Sequence, residues 1–228
     1  MRTVRQLNGP AGRPIVIFGG TFDPVHYGHL RAAWEARELL DADEVRFVPA
    51  GVPPHRTEAV TGAAHRLAML KLSIGQDAGF SIDDREIRRP GPSYMVDTLA
   101  ELRQESRSSP LVLLIGQDSA NALDHWHRWE EIFSYAHLAI MSRAGDIQRY
   151  SKPLAGILRQ RSVASPGDLS GEPGGKVLGI QVTSLAISSS SIRSIVAGGR
   201  SPRYLMPAAV LDYISAQGLY TGECAPPG

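Results

Sequence analysis

The stretch that decides the fold reads Ile15-Val16-Ile17-Phe18-Gly19-Gly20-Thr21-Phe22-Asp23-Pro24-Val25-His26-Tyr27-Gly28-His29-Leu30. An apolar run ends at a glycine pair, a turn follows, and a helical pattern starts near His26. The sequence therefore predicts a buried strand, a tight turn and a helix in succession. Gly19 and Gly20 would let the backbone approach a ligand closely, since neither residue carries a Cβ. A helix N-terminus at the turn would present free N–H groups to an anion.

Two histidines stand at the start of the predicted helix. His26 and His29 are three residues apart, so both should lie on one face of the first turn. Two imidazoles beside an anion site can donate hydrogen bonds to phosphate oxygens where charge builds up. The alternatives are ordinary helix-start residues or part of a zinc site. The stretch fits neither the P-loop pattern nor the dinucleotide GxGxxG pattern.

Length and composition narrow the class of protein. The 228 residues suit one domain with its own core, and the formal net charge of +1 gives no argument for a nucleic-acid polymer or an acidic membrane surface as partner. Cys224 is the only cysteine, so no intramolecular disulfide can form, and a reducing, cytoplasmic location is expected. We predict a loose N-terminal tail over 1–14, one domain over 15–220 with a mobile loop over about 162–176, and a C-terminal tail over 221–228.

Predicted strands and helices alternate along the chain. After the first strand, strands are predicted at Glu44–Pro49, Phe80–Asp83, Leu111–Ile115, Ala136–Met141 and Val177–Val182, and helices at His26–Leu40, Ala63–Ile74, Ser93–Glu105, Leu154–Arg161 and Pro207–Gln217. Ser93 is a candidate N-cap. This alternation predicts an α/β fold, Rossmann-like and doubly wound, with a mainly parallel sheet and helices on both faces.

Polar residues follow several of these strands and should meet at one edge of the sheet. Asp118, just after a central strand, could hold ribose hydroxyls or act as a helix N-cap. The serines of the Ile187–Arg193 segment could cap a helix and leave N–H groups for phosphate, with Arg193 gripping the same group; the alternative is a low-complexity turn. The loop Pro49–Arg56 is either a ligand loop or a stiff surface turn.

Two further groups of residues each allow two interpretations. Arg85, Arg88 and Arg89 are expected to be solvated, unless one of them reaches a phosphate. Trp126 and Trp129 lie on an amphipathic stretch, and the pattern cannot distinguish two core residues from a ligand platform.

The first motif resembles the GxFDPxHxGH signature of the nucleotidyltransferases that move a nucleotidyl group from a nucleoside triphosphate. Further motifs follow it in a fixed order: Pro53-Pro54-His55-Arg56, Pro92-Ser93-Tyr94, Asp97-Thr98-Leu99, Ile115-Gly116-Gln117-Asp118, Trp129, the serine-arginine segment, Tyr204-Leu205-Met206-Pro207 and Gly218-Leu219-Tyr220. Together they resemble the bacterial nicotinate-mononucleotide adenylyltransferases over about Ile15 to Tyr220.

The resemblance implies that the 5′-phosphate of nicotinate mononucleotide attacks the α-phosphorus of ATP and that pyrophosphate leaves. It implies catalytic roles for His26, His29 and Arg193. ATP contacts are implied for Gly19, Gly20, Thr21, Phe22, Gly116, Asp118, Arg143, Ser189 and Ser190. Contacts with nicotinate mononucleotide are implied for Arg56, Tyr94, Met95 and Trp129. Mg²⁺ would accompany ATP without a metal site built from protein side chains.

Three positions depart from the family pattern. Arg56 stands where Lys is usual, Ser190 where Thr is usual, and Met95 where Thr is usual. In the family that the chain resembles, this Thr meets the nicotinate carboxylate, so Met95 would leave only the backbone N–H for that contact. Rival interpretations are a phosphopantetheine adenylyltransferase or a cytidylyltransferase of the same superfamily, and a catalytically silent nucleotide sensor. Neither the motifs nor the composition decides whether the chain forms a homo-oligomer.

Overall fold

The computed structural model describes residues 13–53, 61–106, 108–142 and 145–221. Two predicted site residues, Arg56 and Arg143, lie outside these described residues, as does most of each predicted tail. Within the described ranges, no helix is long and apolar enough to cross a membrane.

Six parallel strands in the described part of the chain form one sheet, in the order β3-β2-β1-β4-β5-β6. The strands are β1 (Ile15–Gly20), β2 (Glu44–Pro49), β3 (Phe80–Ile82), β4 (Leu111–Gly116), β5 (His137–Ser142) and β6 (Val177–Gln181). The strand order reverses between β1 and β4, and ligands of such sheets bind at the carboxyl ends of the strands at that point. The predicted doubly wound parallel sheet is confirmed.

The connections between the strands are helical. The helices are α1 (Tyr27–Leu39), α2 (Ala63–Ile74), α3 (Arg85–Arg88), α4 (Met95–Glu105), α5 (Gln117–Asn121), α6 (Ile132–Tyr135), α7 (Lys152–Arg161), α8 (Ser189–Ala197) and α9 (Ala208–Ala216). Short 3-10 turns lie at Leu123–His125, Trp129–Glu131 and Pro166–Leu169.

The sheet separates two hydrophobic cores. Alternate side chains of β1 enter opposite cores, with Val16 and Phe18 on one face and Ile15 and Ile17 on the other. Helices α1, α2, α8 and α9 contribute buried residues to the first core, and α4 to α7 contribute to the second. Both faces are therefore covered, which explains why the central strands read as continuous apolar runs.

The predicted N-cap of α4 is wrong. Tyr94 occupies the N-cap position, and the hydroxyl of Ser93 instead accepts hydrogen bonds from the backbone N–H groups of Gly51 (2.9 Å) and Val52 (3.3 Å). The physical reason is a tertiary contact. Ser93 lies against the loop that follows β2, and its hydroxyl binds backbone N–H groups of that loop and not those of α4.

The stretch that carries the two tryptophans is not a single amphipathic helix. It forms two separate 3-10 turns, because Arg128 between them adopts a left-handed backbone conformation with φ of 50°. The Arg128 guanidinium binds Asp97 at 3.1 Å and also pairs with Glu131. The pair with Asp97 joins this turn to the first turn of α4, and the pair with Glu131 lies within the turn itself.

Two stretches that were expected at the surface each contain a buried side chain. The expectation that Arg85 is solvated is wrong, because its side chain is only 11% exposed and its guanidinium binds Asp83 at 2.7 Å and Glu105 at 3.0 Å. The segment 162–176, predicted to be a mobile loop, is largely exposed, but Leu169 within it is 1% exposed and belongs to the first core. The mobility of this segment stays a prediction.

Candidate active site

The glycine pair ends β1 at the point where the strand order reverses. A Cβ on Gly19 would lie 2.3 Å from the Cε methyl of Met95, and a Cβ on Gly20 would lie 2.9 Å from the ring of Phe22. Side chains of the protein therefore occupy the space that a Cβ would need. Internal packing is therefore one reason for these glycines, and the close approach of a ligand to them stays a prediction. Met95, the first residue of α4, packs its side chain against the backbone at Gly19.

The side chain of Phe22 packs against His29. Its backbone has a φ of 52°, and its side chain is buried. The ring meets the His29 imidazole edge-on, with centroids 5.2 Å apart and planes at 78°. Any contact of Phe22 with ATP would therefore come from its backbone, while the ring orients His29.

The two histidines stack on each other at the start of α1. His26 is the N-cap residue and His29 lies in the first turn, with ring centroids 3.8 Å apart and planes at 28°. The backbone N–H of His26 donates to Nδ1 of His29 at 3.3 Å. Because Nδ1 accepts, the neutral His29 ring carries its proton on Nε2. The prediction that both imidazoles share one face is confirmed.

Gly28 explains the spacing of this histidine pair. A Cβ at this position would lie 2.9 Å from both Nδ1 and Cε1 of His26. The His26 ring therefore folds back over the glycine, and that arrangement brings it against His29.

The serine segment forms the N-terminus of a nine-residue helix, α8. The hydroxyl of Ser188 accepts from the backbone N–H of Ser191 at 3.1 Å, which makes it the N-cap. The hydroxyl of Ser189 donates to the carbonyl of Pro24 at 2.9 Å. The serines therefore cap a helix, as predicted, and do not form a low-complexity turn. The bond to Pro24 joins the N-terminus of α8 to the turn after β1.

Arg193 lies one turn into α8 and contacts Asp23. Its Nη1 donates to the backbone carbonyl of Asp23 at 2.7 Å and lies 3.8 Å from the Asp23 carboxylate. The hydroxyl of Tyr220 donates to that carboxylate at 2.7 Å. Burial, together with the neighbouring Asp23, raises the pKa of Tyr220, so this phenol stays a hydrogen-bond donor at neutral pH.

These elements enclose a cavity of about 310 Å³. It is lined by Phe18, His26, Gly28, His29, Ala32, Met141, Ile187, Ser188, Ser189, Ser190 and Arg193. Five predicted residues thus meet in one cavity: His26, His29, Ser189, Ser190 and Arg193. Imidazoles, a guanidinium and a helix N-terminus form a site suited to a polyanion.

A second group of predicted residues lies over the other core. Tyr94 and Met95 start α4, and both pack against the second core, as do Trp126 and Trp129. The ring that stacks on Tyr94 is that of His127, with centroids 4.3 Å apart and planes at 32°. Sequence reasoning missed His127 because an exposed histidine in a turn has no periodic signal.

Trp129 has a different aromatic neighbour. Its ring meets Phe133 edge-on, with centroids 6.4 Å apart, and it is half-buried like Trp126. The turn over residues 126–128 is therefore joined to α4 through His127, while Trp129 is joined to α6.

Asp118 lies at the carboxyl end of β4. Gly116 is the N-cap of α5, so the N-cap alternative for Asp118 is wrong. The Asp118 side chain belongs to the first turn of α5 and is exposed at the carboxyl edge of the sheet. Gly116 also pairs in register with Met141, which lines the cavity.

The sequence of this chain is similar to those of known proteins. Residues 17–195 match the cytidylyltransferase-like family. The chain is 47% identical over 207 residues to a probable nicotinate-nucleotide adenylyltransferase of Methylococcus capsulatus, covering 90% of this chain and 99% of that protein. It is 44% identical to the protein of the same name from Acidithiobacillus ferrooxidans, covering 90% and 95% of the two chains.

Solved structures share the fold. The nicotinic acid mononucleotide adenylyltransferase of Plasmodium falciparum, complexed with NaAD, superposes with a TM-score of 0.70 at 18% identity, covering 91% of this chain and 97% of that one. A structure described as a putative nicotinate-nucleotide adenylyltransferase from Vibrio parahaemolyticus gives a TM-score of 0.59 at 16% identity, covering 92% and 96%. From its sequence similarity along nearly its whole length, the chain belongs to the nicotinate-nucleotide adenylyltransferase family, within the cytidylyltransferase-like group.

Proposed function

We infer that the protein transfers the adenylyl group of ATP to nicotinate mononucleotide, forming nicotinate adenine dinucleotide and pyrophosphate in NAD biosynthesis. The observation that carries this inference is the cavity in which the stacked His26 and His29 face the N-terminus of α8 and Arg193. The cavity lies at the reversal of strand order, where a sheet of this type binds nucleotides.

The chemistry needs no nucleophile from the protein. An oxygen of the acceptor's 5′-phosphate forms a bond to the α-phosphorus of ATP, and the bond from that phosphorus to the bridging oxygen breaks. The electron pair leaves with pyrophosphate. Such transfers depend on positioning and on charge stabilisation, which the described side chains supply.

His26 and His29 would stabilise the charge that develops on the transferred phosphoryl group. In its neutral form, His29 carries its proton on Nε2 and can donate it in a hydrogen bond to a phosphate oxygen. The stacked partner ring and the edge of Phe22 restrict its orientation. A donor held in place before the reaction loses little free energy to reorganisation.

Arg193 and the first turn of α8 would hold the β- and γ-phosphates. The bond from Arg193 to the Asp23 carbonyl fixes one side of the guanidinium. Ser189 and Ser190 stand at the helix N-terminus, where backbone N–H groups and the helix dipole favour a bound anion.

The remaining contacts divide between the two substrates. We propose that Gly116 and Asp118 hold adenosine, and that Tyr94, Met95 and Trp129 receive the pyridine nucleotide. Arg143, for ATP, and Arg56, for the acceptor, are proposed on the family resemblance alone. The observation that supports this division is that phosphate-site residues lie over the first core and acceptor-site residues over the second.

Mg²⁺ is proposed to enter with ATP, where it would neutralise charge on the departing pyrophosphate. The donor set fits a metal brought by its substrate: the phosphate cavity is lined with imidazole, guanidinium and hydroxyl groups. In the described ranges, no group of three or more His, Cys, Asp and Glu side chains could hold a metal ion. The ion would therefore be held by phosphate oxygens and water.

The test is pyrophosphate release from ATP with a panel of acceptors: nicotinate mononucleotide, nicotinamide mononucleotide, phosphopantetheine and none. The proposal predicts release that depends on nicotinate mononucleotide. Release only with phosphopantetheine would favour another adenylyltransferase, and no release with any acceptor would favour a silent sensor. The same purified protein should be tested for self-association, and cell fractionation should test the proposed cytoplasmic location.

A further inference from the structure

One buried arginine, which the sequence analysis did not identify, lies beside the turn between β1 and α1. This turn, residues 21–26, is called the phosphate turn below. Arg66 belongs to the first turns of α2, and only 2% of it is exposed. Its guanidinium donates to three backbone carbonyls: Nη1 to Thr21 at 2.9 Å, Nη2 to Gly51 at 3.0 Å and Nε to Thr61 at 3.0 Å.

The three carbonyls come from three different segments. Thr21 is in the turn after β1, Gly51 is in the loop after β2, and Thr61 comes shortly before α2. Thr21 and Gly51 both follow strands at the carboxyl end of the sheet. Arg66 therefore connects the phosphate turn to the loop that follows the neighbouring strand.

The connection continues from Gly51 to the acceptor side. The backbone N–H of Gly51 donates to the Ser93 hydroxyl at 2.9 Å, and Ser93 directly precedes Tyr94 and Met95. A Cβ on Gly51 would lie 2.1 Å from the backbone carbonyl of Glu86, so the loop is closely packed at this point. A path of hydrogen bonds thus runs from Thr21, through Arg66, Gly51 and Ser93, to the start of α4.

We propose that Arg66 is a positioning residue for adenylyl transfer: it sets the separation between the ATP phosphate turn and the acceptor-binding N-terminus of α4. The inference rests on the proposed function, because it assumes that the two substrates lie on the two sides of this path. Arg66 itself is buried beneath the turn and acts through backbone groups.

The physical reason lies in the geometry of the reaction. The attacking oxygen must approach the α-phosphorus within about 3–3.5 Å, and a displacement of about 1 Å can cost about 10²-fold in rate. A guanidinium presents five donors in a rigid plane and can hold three carbonyls at once, whereas a lysine ammonium is a compact group on a flexible stem. Arg66→Lys keeps the charge and removes this geometry.

Arg103 provides a matched control. Its guanidinium also holds backbone carbonyls, those of Tyr135 (2.7 Å), Ser106 (2.7 Å), Ser109 (2.9 Å) and Pro173 (2.5 Å). Three of these carbonyls lie shortly before β4, β5 and β6, at the opposite end of the sheet. Arg103→Lys therefore makes the same chemical change away from the site.

The experiment measures kcat, the dissociation constant of each substrate alone and the melting temperature for wild type and both variants. We expect Arg66→Lys to lower kcat by roughly 10- to 100-fold, while ATP alone and nicotinate mononucleotide alone bind as in wild type. Arg103→Lys should melt earlier than wild type but keep the wild-type kcat at a temperature where it is folded.

An unchanged kcat in folded Arg66→Lys would overturn the proposal, and so would an equal loss of kcat in both variants. An inactive wild type would instead contradict the proposed function. If Arg66→Lys does not fold, Ser93→Ala tests the same path: a lowered kcat with intact single-substrate binding supports it, and an unchanged kcat overturns it.

Discussion

At the amino end of the sheet, buried polar side chains bind the backbone. The His137 ring, fully buried at the start of β5, accepts from the backbone N–H of Lys176 at 3.1 Å and contacts the carbonyl of Glu172 at 2.9 Å. Arg103 holds four carbonyls nearby. At the carboxyl end, His26 and His29 instead line a cavity beside the N-terminus of α8.

The difference shows how the same residue types acquire different roles. A histidine whose two ring nitrogens both bind backbone groups of another segment stabilises that segment. A histidine that lines a cavity of polar donors can act on a ligand. The difference follows from the sheet topology, because a doubly wound sheet binds its ligands at the carboxyl ends of the strands where the strand order reverses, here between β1 and β4. Arg66 and Arg193 combine the two roles, since both lie at the carboxyl end and both bind backbone carbonyls.

The largest effect is expected at the histidine pair. His26→Ala and His29→Ala should each lower kcat by roughly 10²–10³, the usual cost of removing one preorganised donor. Neither should lower the melting temperature much. His137→Gln is the control at the other end of the sheet, and it should keep its kcat. Near-normal turnover in both alanine variants would remove the basis of the mechanism.

The next effect concerns the two tryptophans on the acceptor side. Trp129→Ala is expected to weaken binding of nicotinate mononucleotide about 5- to 150-fold, if stacking is worth roughly 1–3 kcal/mol as for a nucleic-acid base. ATP affinity should hardly change. Titration of each substrate into Trp129→Ala and Trp126→Ala measures both effects.

The structure sharpens this comparison. Trp126 is half-buried, so its loss should cost less than the ~3–5 kcal/mol of a fully buried tryptophan. It also precedes His127, which stacks on Tyr94. If Trp126→Ala loses mononucleotide binding while Trp129→Ala mainly loses stability, the platform is Trp126 and the assignment to Trp129 is wrong.

A smaller effect is expected from pH at the amino end. Burial lowers the pKa of His137 below its usual range. Below about pH 6.5 the unfolded chain takes up a proton that the folded chain does not, so the free energy of unfolding should fall as pH drops from about 7 to 5. His137→Gln should be less stable at pH 7, by about 1–3 kcal/mol, with a flatter dependence over that window.

Urea unfolding of both proteins across this pH range measures the two slopes. Equal slopes would show that His137 is protonated as easily in the folded chain as in the unfolded one. Activity at pH 7 should be the same for both, which separates this histidine from the pair at the cavity.

The smallest effect concerns the choice between acid and amide. Met95 has no hydroxyl and covers Gly19 with its methyl group. The protein is expected to prefer nicotinate over nicotinamide mononucleotide, and Met95→Thr should widen the ratio of the two kcat/KM values. An unchanged or narrower ratio would show that the backbone alone makes the discrimination.

Sequence reasoning succeeded where a local pattern carries the information. The apolar runs of β1 and β4, the glycine turn and the serine cap of α8 all predicted their elements. The histidine pair was identifiable because its partners lie within three residues. The parallel sheet then followed from the alternation of elements.

Most of the misses depend on contacts between distant segments, and the others on local backbone geometry that no residue type marks. Ser93 looked like a cap but bonds to a loop 42 residues away, and Tyr220 reaches Asp23 across 197 residues. Arg66 reads as an ordinary helical arginine until α2 is placed beside the turn after β1. The left-handed backbone of Arg128, which divides the tryptophan stretch, has no glycine to mark it.

The most direct test of adenylyl transfer follows the phosphorus atoms of ATP. The purified protein is incubated with Mg²⁺, nicotinate mononucleotide and ATP labelled at either the α- or the γ-phosphate. We predict that all transferred α-label appears in nicotinate adenine dinucleotide, that γ-label appears in pyrophosphate in equal amount, and that His29→Ala slows both equally. Release of α-label as AMP, label bound to the protein, or no product with this acceptor would contradict the account.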